Sequence, residues 1–393
     1  MKLLIYSHFF APSIGGVETI ALSLARGLTE VRNEKGVAEF DVILATQTPA
    51  GNHDDSSLPF RVIRSPGLRK LLQLIRKSDV VHVAGPALAP LLLSYLLRKP
   101  LIVEHHGYQV TCPNGLLFHH PSGAVCKGQF EAGNYLECLK CNSKTDGTIG
   151  SLRLLISTFA RRALSRHAIV NIAPSHHVAV RQNLPRTSVI FHGVEDPFAG
   201  KDTLPKRTTN AKGFAYVGRL VVEKGVSVLL KATQQLRTEG REVQVIVIGD
   251  GPDRPRLEKE IESLGLGGTV RVTGFLSGVN LDQILGGVGT IVIPTTMEET
   301  AGLAAMEQMV RGRAVIASSV GGLEELVRGA GLTFSPGDPR SLADAMRRIL
   351  DEPDLSASLG GIGRERILVS FSLGGMIDAH ARLYREVYAA ARV

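Results

Sequence analysis

Short apolar runs rich in β-branched residues alternate, along almost the whole chain, with segments whose apolar residues recur every 3.6 residues. That alternation constrains the fold most, because it is the pattern of parallel strands covered by helices on both faces. In the first half the predicted strands are Lys2 to Ser7, Phe40 to Ala45, Phe60 to Arg64, Asp79 to Val83, Leu101 to His105, Ile169 to Pro174 and Val189 to His192. The longest uncharged stretch, Val80 to Leu97, approaches the length of a membrane span but holds His82, Gly85, Pro86 and Pro90. It reads as a strand, a turn and a buried helix.

After His192 the chain passes through Gly193-Val194-Glu195-Asp196-Pro197 into a polar stretch, Lys201 to Lys212, that reads as a linker. A second set of strands follows at Phe214 to Gly218, Val243 to Ile248, Val270 to Thr273, Ile291 to Pro294, Val315 to Ser318 and Leu332 to Phe334. Between them Val226, Leu229, Leu230, Thr233 and Leu236 form one helical stripe, and Leu257, Ile261 and Leu264 another. The chain is 393 residues long and 44% apolar, enough for two domains that each bury a core. The expected division is residues 1–200, with a cysteine-rich insertion at 107–150, then 206–372, then a terminal helix at 373–393 packing back on the first domain. Two doubly wound α/β domains place ligands beyond the carboxyl ends of their strands.

The loop after the first strand ends in Pro12-Ser13-Ile14-Gly15-Gly16-Val17-Glu18 before a helix. Adjacent glycines let backbone approach a ligand closely, and a helix start favours an anion; a plain glycine turn reads equally well. In the second domain Gly218-Arg219-Leu220-Val221-Val222-Glu223-Lys224-Gly225 sets two cations in one loop, able to clamp a diphosphate without metal. Alone, these would be solvated surface cations. Gly249-Asp250-Gly251-Pro252 is a further tight loop at the same sheet edge.

The most informative stretch runs from Pro294 through Glu299, Gly302 and Leu303 to Glu307, a strand end, a loop and a helix. Glu299 is expected in the loop and Glu307 in the helix, with the amides from Thr300 to Leu303 at the helix start able to meet phosphate or sugar hydroxyls. Glu307 could accept both hydroxyls of a ribose. Each carboxylate by itself is as readily a solvated one.

Together these segments resemble the family-4 retaining glycosyltransferases of the GT-B fold, in which two facing Rossmann-like domains enclose an interdomain cleft. The resemblance runs from Lys2 to about Ser372. It is carried by Gly15-Gly16-Val17-Glu18, His106-Gly107, Gly218-Arg219-Leu220 with Glu223-Lys224-Gly225, Gly249-Asp250-Gly251-Pro252, the pair Glu299 and Glu307, Gly321-Gly322-Leu323-Glu324-Glu325 and Pro336-Gly337-Asp338. It implies that Arg219 and Lys224 neutralise a donor diphosphate and that Glu307 holds the ribose. It further implies that Glu299 and the amides of Gly302 and Leu303 bind the donor sugar, with Gly251 at the same site. His106 would sit over the sugar from the opposing domain, and Gly15 and Gly16 would admit the phosphates. Ala301 stands where an aromatic residue is common, and His192-Gly193-Val194-Glu195 replaces the usual Asn-Gly-Val-Asp, which leaves donor-sugar preference open.

The expected reaction is retaining transfer of a sugar from a nucleoside-diphosphate-sugar to a glycan, lipid-linked or small-molecule acceptor in cell-surface polysaccharide or glycoconjugate biosynthesis, with no cofactor required for catalysis. Rival readings are a nucleotide-sugar epimerase of related architecture and a noncatalytic subunit binding nucleotide or glycan. A nicotinamide-dependent dehydrogenase is disfavoured, since no Gly-x-Gly-x-x-Gly follows the first strand of either half.

Cys112, Cys126, Cys138 and Cys141 are the only cysteines and cluster in the insertion after His106. In a cytosolic enzyme this grouping points to a structural zinc with thiolate ligands, or else to four free or partly buried thiols; His119 or His120 could replace one ligand.

The net charge of +8 is dispersed along the chain, and without Trp or interleaved aromatic and basic residues nucleic acid is not expected as a partner. An anionic substrate or membrane surface fits better. Leu152-Arg153-Leu154-Leu155-Ile156, with Phe159, Arg161 and Arg162, mixes apolar and basic residues as interfacial helices do, although a core-packed helix with a basic outer face reads as well. The opening Met1 to Ser7 is too short for a signal peptide, so the expected location is the cytoplasm, with peripheral contact at the inner face of the membrane.

Overall fold

The computed structural model describes residues 1–200 and 210–392. They divide into two compact units, one formed by Met1–Leu117, Lys127–Gly193 and Ser372–Val393, the other by Phe118–Cys126 and Val194–Phe371. The predicted linker falls mainly on residues 201–209, outside the described residues.

The first unit runs β1 (Lys2–Ser7), α1 (Gly16–Glu30), β2 (Asp41–Thr46), β3 (Arg61–Arg64), α2 (Leu68–Lys77), β4 (Val80–Ala84), α3 (Leu88–Leu96) and β5 (Leu101–Glu104). After β5 comes a two-stranded hairpin of β6 (Phe118–His119) and β7 (Ala124–Val125), which belongs to the second unit. Then follow α4 (Tyr135–Ser165), β8 (Val170–Ala173), α5 (His176–Gln182) and β9 (Thr187–Val189). The sheet order is β3-β2-β1-β4-β5-β8-β9, every pair parallel. Stepping outward on both sides of the first strand is the doubly wound order.

The second unit runs β10 (Asn210–Val217), α6 (Val226–Thr238), β11 (Gln244–Ile248), α7 (Arg254–Ser263), β12 (Val270–Gly274), α8 (Gly278–Leu285), β13 (Val288–Ile293), α9 (Leu303–Met309), β14 (Ala314–Ser318), α10 (Gly321–Val327), β15 (Leu332–Phe334), α11 (Pro339–Asp351) and α12 (Leu355–Ser370). Its sheet, β12-β11-β10-β13-β14-β15, is also parallel throughout. The last helix, α13 (Leu373–Ala390), belongs to the first unit and packs on α1 and β4.

Strands covered on both faces must be apolar on both, so the central ones read as continuous runs. Every residue of β4, β13 and β14 is buried. The helical stripe of α6 goes inward as its period requires, with Val226, Leu229, Leu230, Thr233 and Leu236 all buried. Leu257 and Ile261 are buried on α7, while Leu264 caps that helix, partly buried against the same core. Local signals set the helix ends. Asp338 caps α11 by accepting the Arg340 amide at 2.9 Å, with Pro339 at the first helical position, and Ser372 caps α13.

Two predicted segments differ. β9 ends at Val189 rather than His192: Ile190 still donates to the Ala173 carbonyl at 3.0 Å, and the edge strand then leaves the sheet. The cysteine segment is not only loop, because α4 begins at Tyr135 and carries Cys138 and Cys141 one turn apart, with a break at Gly147 before the predicted basic helix.

Candidate active site

Four loops of the second unit converge beyond the carboxyl ends of β10, β11, β13 and β14. The first two are zipped by backbone. The Gly218 amide donates to the Ile248 carbonyl at 3.0 Å and the Leu220 amide to that of Asp250 at 2.9 Å. Gly251, whose amide donates to Asp250 Oδ1 at 2.8 Å, therefore lies against the Arg219 loop. Arg219 is exposed, and its carbonyl accepts the Tyr216 hydroxyl at 2.7 Å, which fixes the loop while leaving the guanidinium to solvent.

Lys224 is placed from below. The Glu223 carbonyl accepts from the Thr296 amide at 2.8 Å and from the Thr295 and Thr296 hydroxyls at 3.1 and 3.2 Å. Gly225 turns with φ of +68°, and a β-carbon there would stand 2.0 Å from the Pro294 carbonyl oxygen, so only glycine permits the approach. Glu299 is pinned from the other side. Its carbonyl accepts the Gly322 amide at 2.7 Å, and Gly321, at φ of +57°, would drive a β-carbon to 2.2 Å from that same oxygen. The result is an ion pair between Lys224 Nζ and Glu299 Oε1, with the side chains 28% and 15% exposed.

Thus two residues separated by 75 positions, read from sequence as serving diphosphate and sugar, stand side by side. Glu307 lies on α9, half-buried, and Gly302 caps that helix in the left-handed conformation with Leu303 as its first residue. Burial pushes the Glu307 carboxyl above its ordinary value, against the opposing charge of Arg311. Arg311 Nη1 itself bonds the Glu307 carbonyl at 2.7 Å.

In the first unit, Gly15 caps α1, its carbonyl accepting from the Thr19 amide and hydroxyl at 3.1 and 2.9 Å, and Gly16 opens the helix. His106 follows β5 with its Nε2 3.6 Å from Glu104 Oε2. Burial holds its imidazole down to about 3, so it is neutral near pH 7. Glu104 is 1% exposed, and four imidazoles surround it: His82, His106, His192 and His380. Burial alone would raise this carboxyl, but His106, His192, His380 and His82 outweigh it and hold it well below the carboxylate range. Of this group sequence reading selected only His106. A carboxylate closing the apolar run Leu101-Ile102-Val103-Glu104 was the available signal, since a charge in a doubly covered strand demands partners.

Cys112, Cys138 and Cys141 lie in the first unit and Cys126 in the hairpin segment assigned to the second; all four are buried. Asn114 stands between two of them, accepting from Cys112 Sγ at 2.9 Å and donating to Cys141 Sγ at 3.8 Å.

The family profile described as "Glycosyl transferases group 1" matches residues 204–366, the stretch that holds all four converging loops. The α-D-kanosaminyltransferase of Streptomyces kanamyceticus is 27% identical over 311 residues, covering 77% of this chain and 74% of that enzyme. The chain is a glycosyltransferase whose second unit carries the group 1 match. The 2-deoxystreptamine N-acetyl-D-glucosaminyltransferase of Niallia circulans is 24% identical over 323 residues, 79% of this glycosyltransferase and 76% of its own length. Two solved structures share its fold at low identity. Anabaena Alr3699/HepE in complex with UDP has a TM-score of 0.73 at 18% identity, covering 98% of this chain and 100% of that one. Sucrose-phosphate synthase from Thermosynechococcus elongatus has 0.71 at 21%, covering 99% of each. The fold class is GT-B, with two Rossmann-like units. Among the described residues no helix of this glycosyltransferase is long and apolar enough to cross a membrane.

Proposed function

We propose that this glycosyltransferase moves a sugar from a nucleoside-diphosphate-sugar to a hydroxyl acceptor with retention of anomeric configuration. The observation that carries the reading is the glycine-pinned Lys224–Glu299 pair beside the Arg219 loop, in the unit that also holds Glu307. Structures of Alr3699/HepE with UDP and with UDP-glucose support a uridine donor as the first to assay. Two relatives are named for kanosaminyl transfer and for transfer to 2-deoxystreptamine, so an aminocyclitol glycoside is the first small-molecule acceptor to try beside glycan and lipid-linked ones.

In this reading Glu307 accepts the ribose hydroxyls, and Arg219 and Lys224 face the diphosphate. Glu299 and the amides of Gly302 and Leu303 meet the sugar, Gly251 lets its loop close on the donor, and Gly15, Gly16 and His106 serve from the first unit. The bond from the anomeric carbon to phosphate breaks with its electron pair going to the phosphate oxygen. The acceptor oxygen bonds to the same face, and its proton passes to the departing phosphate. Preorganised cations stabilise the negative charge that grows there. The Lys224–Glu299 pair keeps the ammonium in place before donor arrives; the diphosphate then shares it.

The test is proton NMR of the product's anomeric configuration together with nucleoside diphosphate release. Retention with release that depends on acceptor is expected. Inversion, or a covalent glycosyl-enzyme trapped on Glu299, would overturn the mechanism. Interconversion of free nucleotide-sugars without release would favour an epimerase.

A zinc held by the insertion's thiols is supported by Asn114, flanked by Cys112 and Cys141. A loss of less than about half an equivalent of zinc on Cys112→Ser, in protein purified without chelator, would count against it. Peripheral membrane contact is supported by the part of α4 after Gly147, where Ile149, Leu152, Ile156 and Phe159 lie on one stripe and are 70%, 48%, 59% and 43% exposed, with Arg153 exposed beside them; Arg161 and Arg162 are half-buried instead. Failure to sediment with anionic liposomes at low salt would remove that idea.

A further inference from the structure

The sealed cluster around Glu104 is not used by the transfer chemistry beyond His106, and its geometry is unusual for a set of hydrogen-bonded groups. Three elements contribute to its inner face: His82 from β4, Glu104 from β5 and His380 from α13, with the residues 0%, 1% and 0% exposed. Nε2 of His82 is 3.1 Å from Glu104 Oε2, and Nε2 of His380 is 3.7 Å from the same oxygen. The two ring nitrogens and the carboxylate oxygen all lie within 4.8 Å of one another, and neither nitrogen makes a hydrogen bond of normal geometry although both are buried.

The outer nitrogens explain why. His380 Nδ1 bonds the Met376 carbonyl at 2.9 Å. A carbonyl only accepts, so Nδ1 carries a ring proton, and a ring with no second proton turns its Nε2 lone pair inward. That lone pair faces a carboxylate oxygen, an arrangement that is repulsive unless a cation stands between them. His82 Nδ1 is likewise occupied, at 2.6 Å from the Tyr384 hydroxyl, which orients its Nε2 toward the same point. Outer nitrogens tied to a carbonyl or hydroxyl while the inner ones converge on a carboxylate is how metal-ligating histidines are held. The separations of 3.1 and 3.7 Å bracket the roughly 3.3 Å edge of a tetrahedron around zinc with bonds of about 2.0–2.1 Å.

We propose that His82, Glu104 and His380 bind a divalent transition-metal ion, zinc by ligand type, that fastens α13 to the sheet of the first unit. His192, whose Nε2 lies 3.3 Å from Glu104 Oε1, steadies the other carboxylate oxygen. The site is separate from the cysteine segment, and its Glu104 Oε2 also lies 3.6 Å from Nε2 of His106. Because one ligand comes from the chain's last helix, the site closes only when α13 docks.

Metal analysis of the full chain purified without chelator, after growth with added zinc and separately with added cobalt, tests the proposal. About one equivalent of zinc that is lost in His380→Gln and retained in Cys112→Ser is expected, over and above any zinc held by the thiols. The cobalt-loaded protein should show visible ligand-field bands that persist in Cys112→Ser and disappear in His380→Gln. Should His380→Gln fail to fold, the cobalt spectrum of the unaltered chain decides alone: only bands of thiolate charge transfer, or no bands, overturn the site. Zinc that follows Cys112→Ser and ignores His380→Gln would assign the metal to the thiols. Neither metal retained would mean that a proton holds the cluster, and the proposal fails.

Discussion

The two units share a strand order but treat their polar groups in opposite ways. In the first, a carboxylate and four imidazoles are sealed, Glu104 being 1% exposed. In the second, Lys224 and Glu299 are paired at a loop cluster with side chains 28% and 15% exposed, beside an exposed Arg219. A sealed polar cluster has no water to fall back on, so its members are tied to stability. A half-open pair is screened and contributes little to folding, which leaves its charges for a ligand. The comparison therefore ties the sealed cluster to stability and, on the proposed function, leaves the open pair to the donor, with His106 the one sealed group given a part in transfer; each half of that can be broken.

The largest expected effect is on the sealed side. Glu104→Ala leaves buried imidazoles without their shared carboxylate and should destabilise the protein by about 3–5 kcal/mol in denaturant titration. A loss below about 1 kcal/mol would mean that the cluster is not structural. On the open side, Lys224→Ala and Glu307→Ala each remove charge-assisted bonds worth about 1.5–3 kcal/mol, which lowers kcat/KM roughly ten- to a hundredfold, with little change in Tm for Lys224→Ala. If both variants keep full activity, the donor-site assignment is wrong.

Glu307 sharpens the contrast, because burial raises its carboxyl in the folded state. Ionised Glu307 therefore opposes folding: the penalty is full above the raised folded pKa and fades as pH falls through it toward the unfolded value. Glu307→Gln should lose activity yet raise Tm near neutral pH, and that gap should close on acidification. A gap that widens toward acid would refute the sign.

The smallest effect concerns Asp196, held by Arg364 through Nη1–Oδ1 at 3.0 Å and Nη2–Oδ2 at 2.8 Å. The Arg364 hydrogen bond depresses this carboxyl. Its contribution is present above the unfolded carboxylate pKa and is lost as pH falls through the depressed folded value. Asp196→Asn should cost about 1 kcal/mol or less near neutrality, vanishing in acid. A pH-independent difference would point to packing instead of charge.

What was legible in the sequence follows the same division. Strands buried on both faces advertise themselves as apolar runs, and glycines such as Gly225 and Gly321 mark places where backbones touch, so the donor-side loops could be read locally. Glu299 and Glu307 were placed as read, in loop and helix, because both lie in one short stretch. That Lys224 would pair with Glu299 was not legible, since it depends on the docking of Glu223 against Thr295 and Thr296. The Glu104 cluster was hidden for a stronger reason. His82 and Tyr384, which bond within it, are 302 positions apart, and no periodicity links β4 to the last helix. The hairpin β6–β7 and the first half of α4 escaped because glycine-rich segments with single cysteines carry no repeating apolar pattern.

The central claim is that the second unit binds a nucleoside diphosphate through Glu307 and Lys224. A thermal-shift screen against UDP, GDP, ADP, CMP and NAD tests it most directly, because a ligand at about 100 times its Kd stabilises by roughly 2.7 kcal/mol. The account predicts a clear shift with one nucleoside diphosphate that is lost in Glu307→Ala. A shift with NAD alone, or with none of the five, would contradict it.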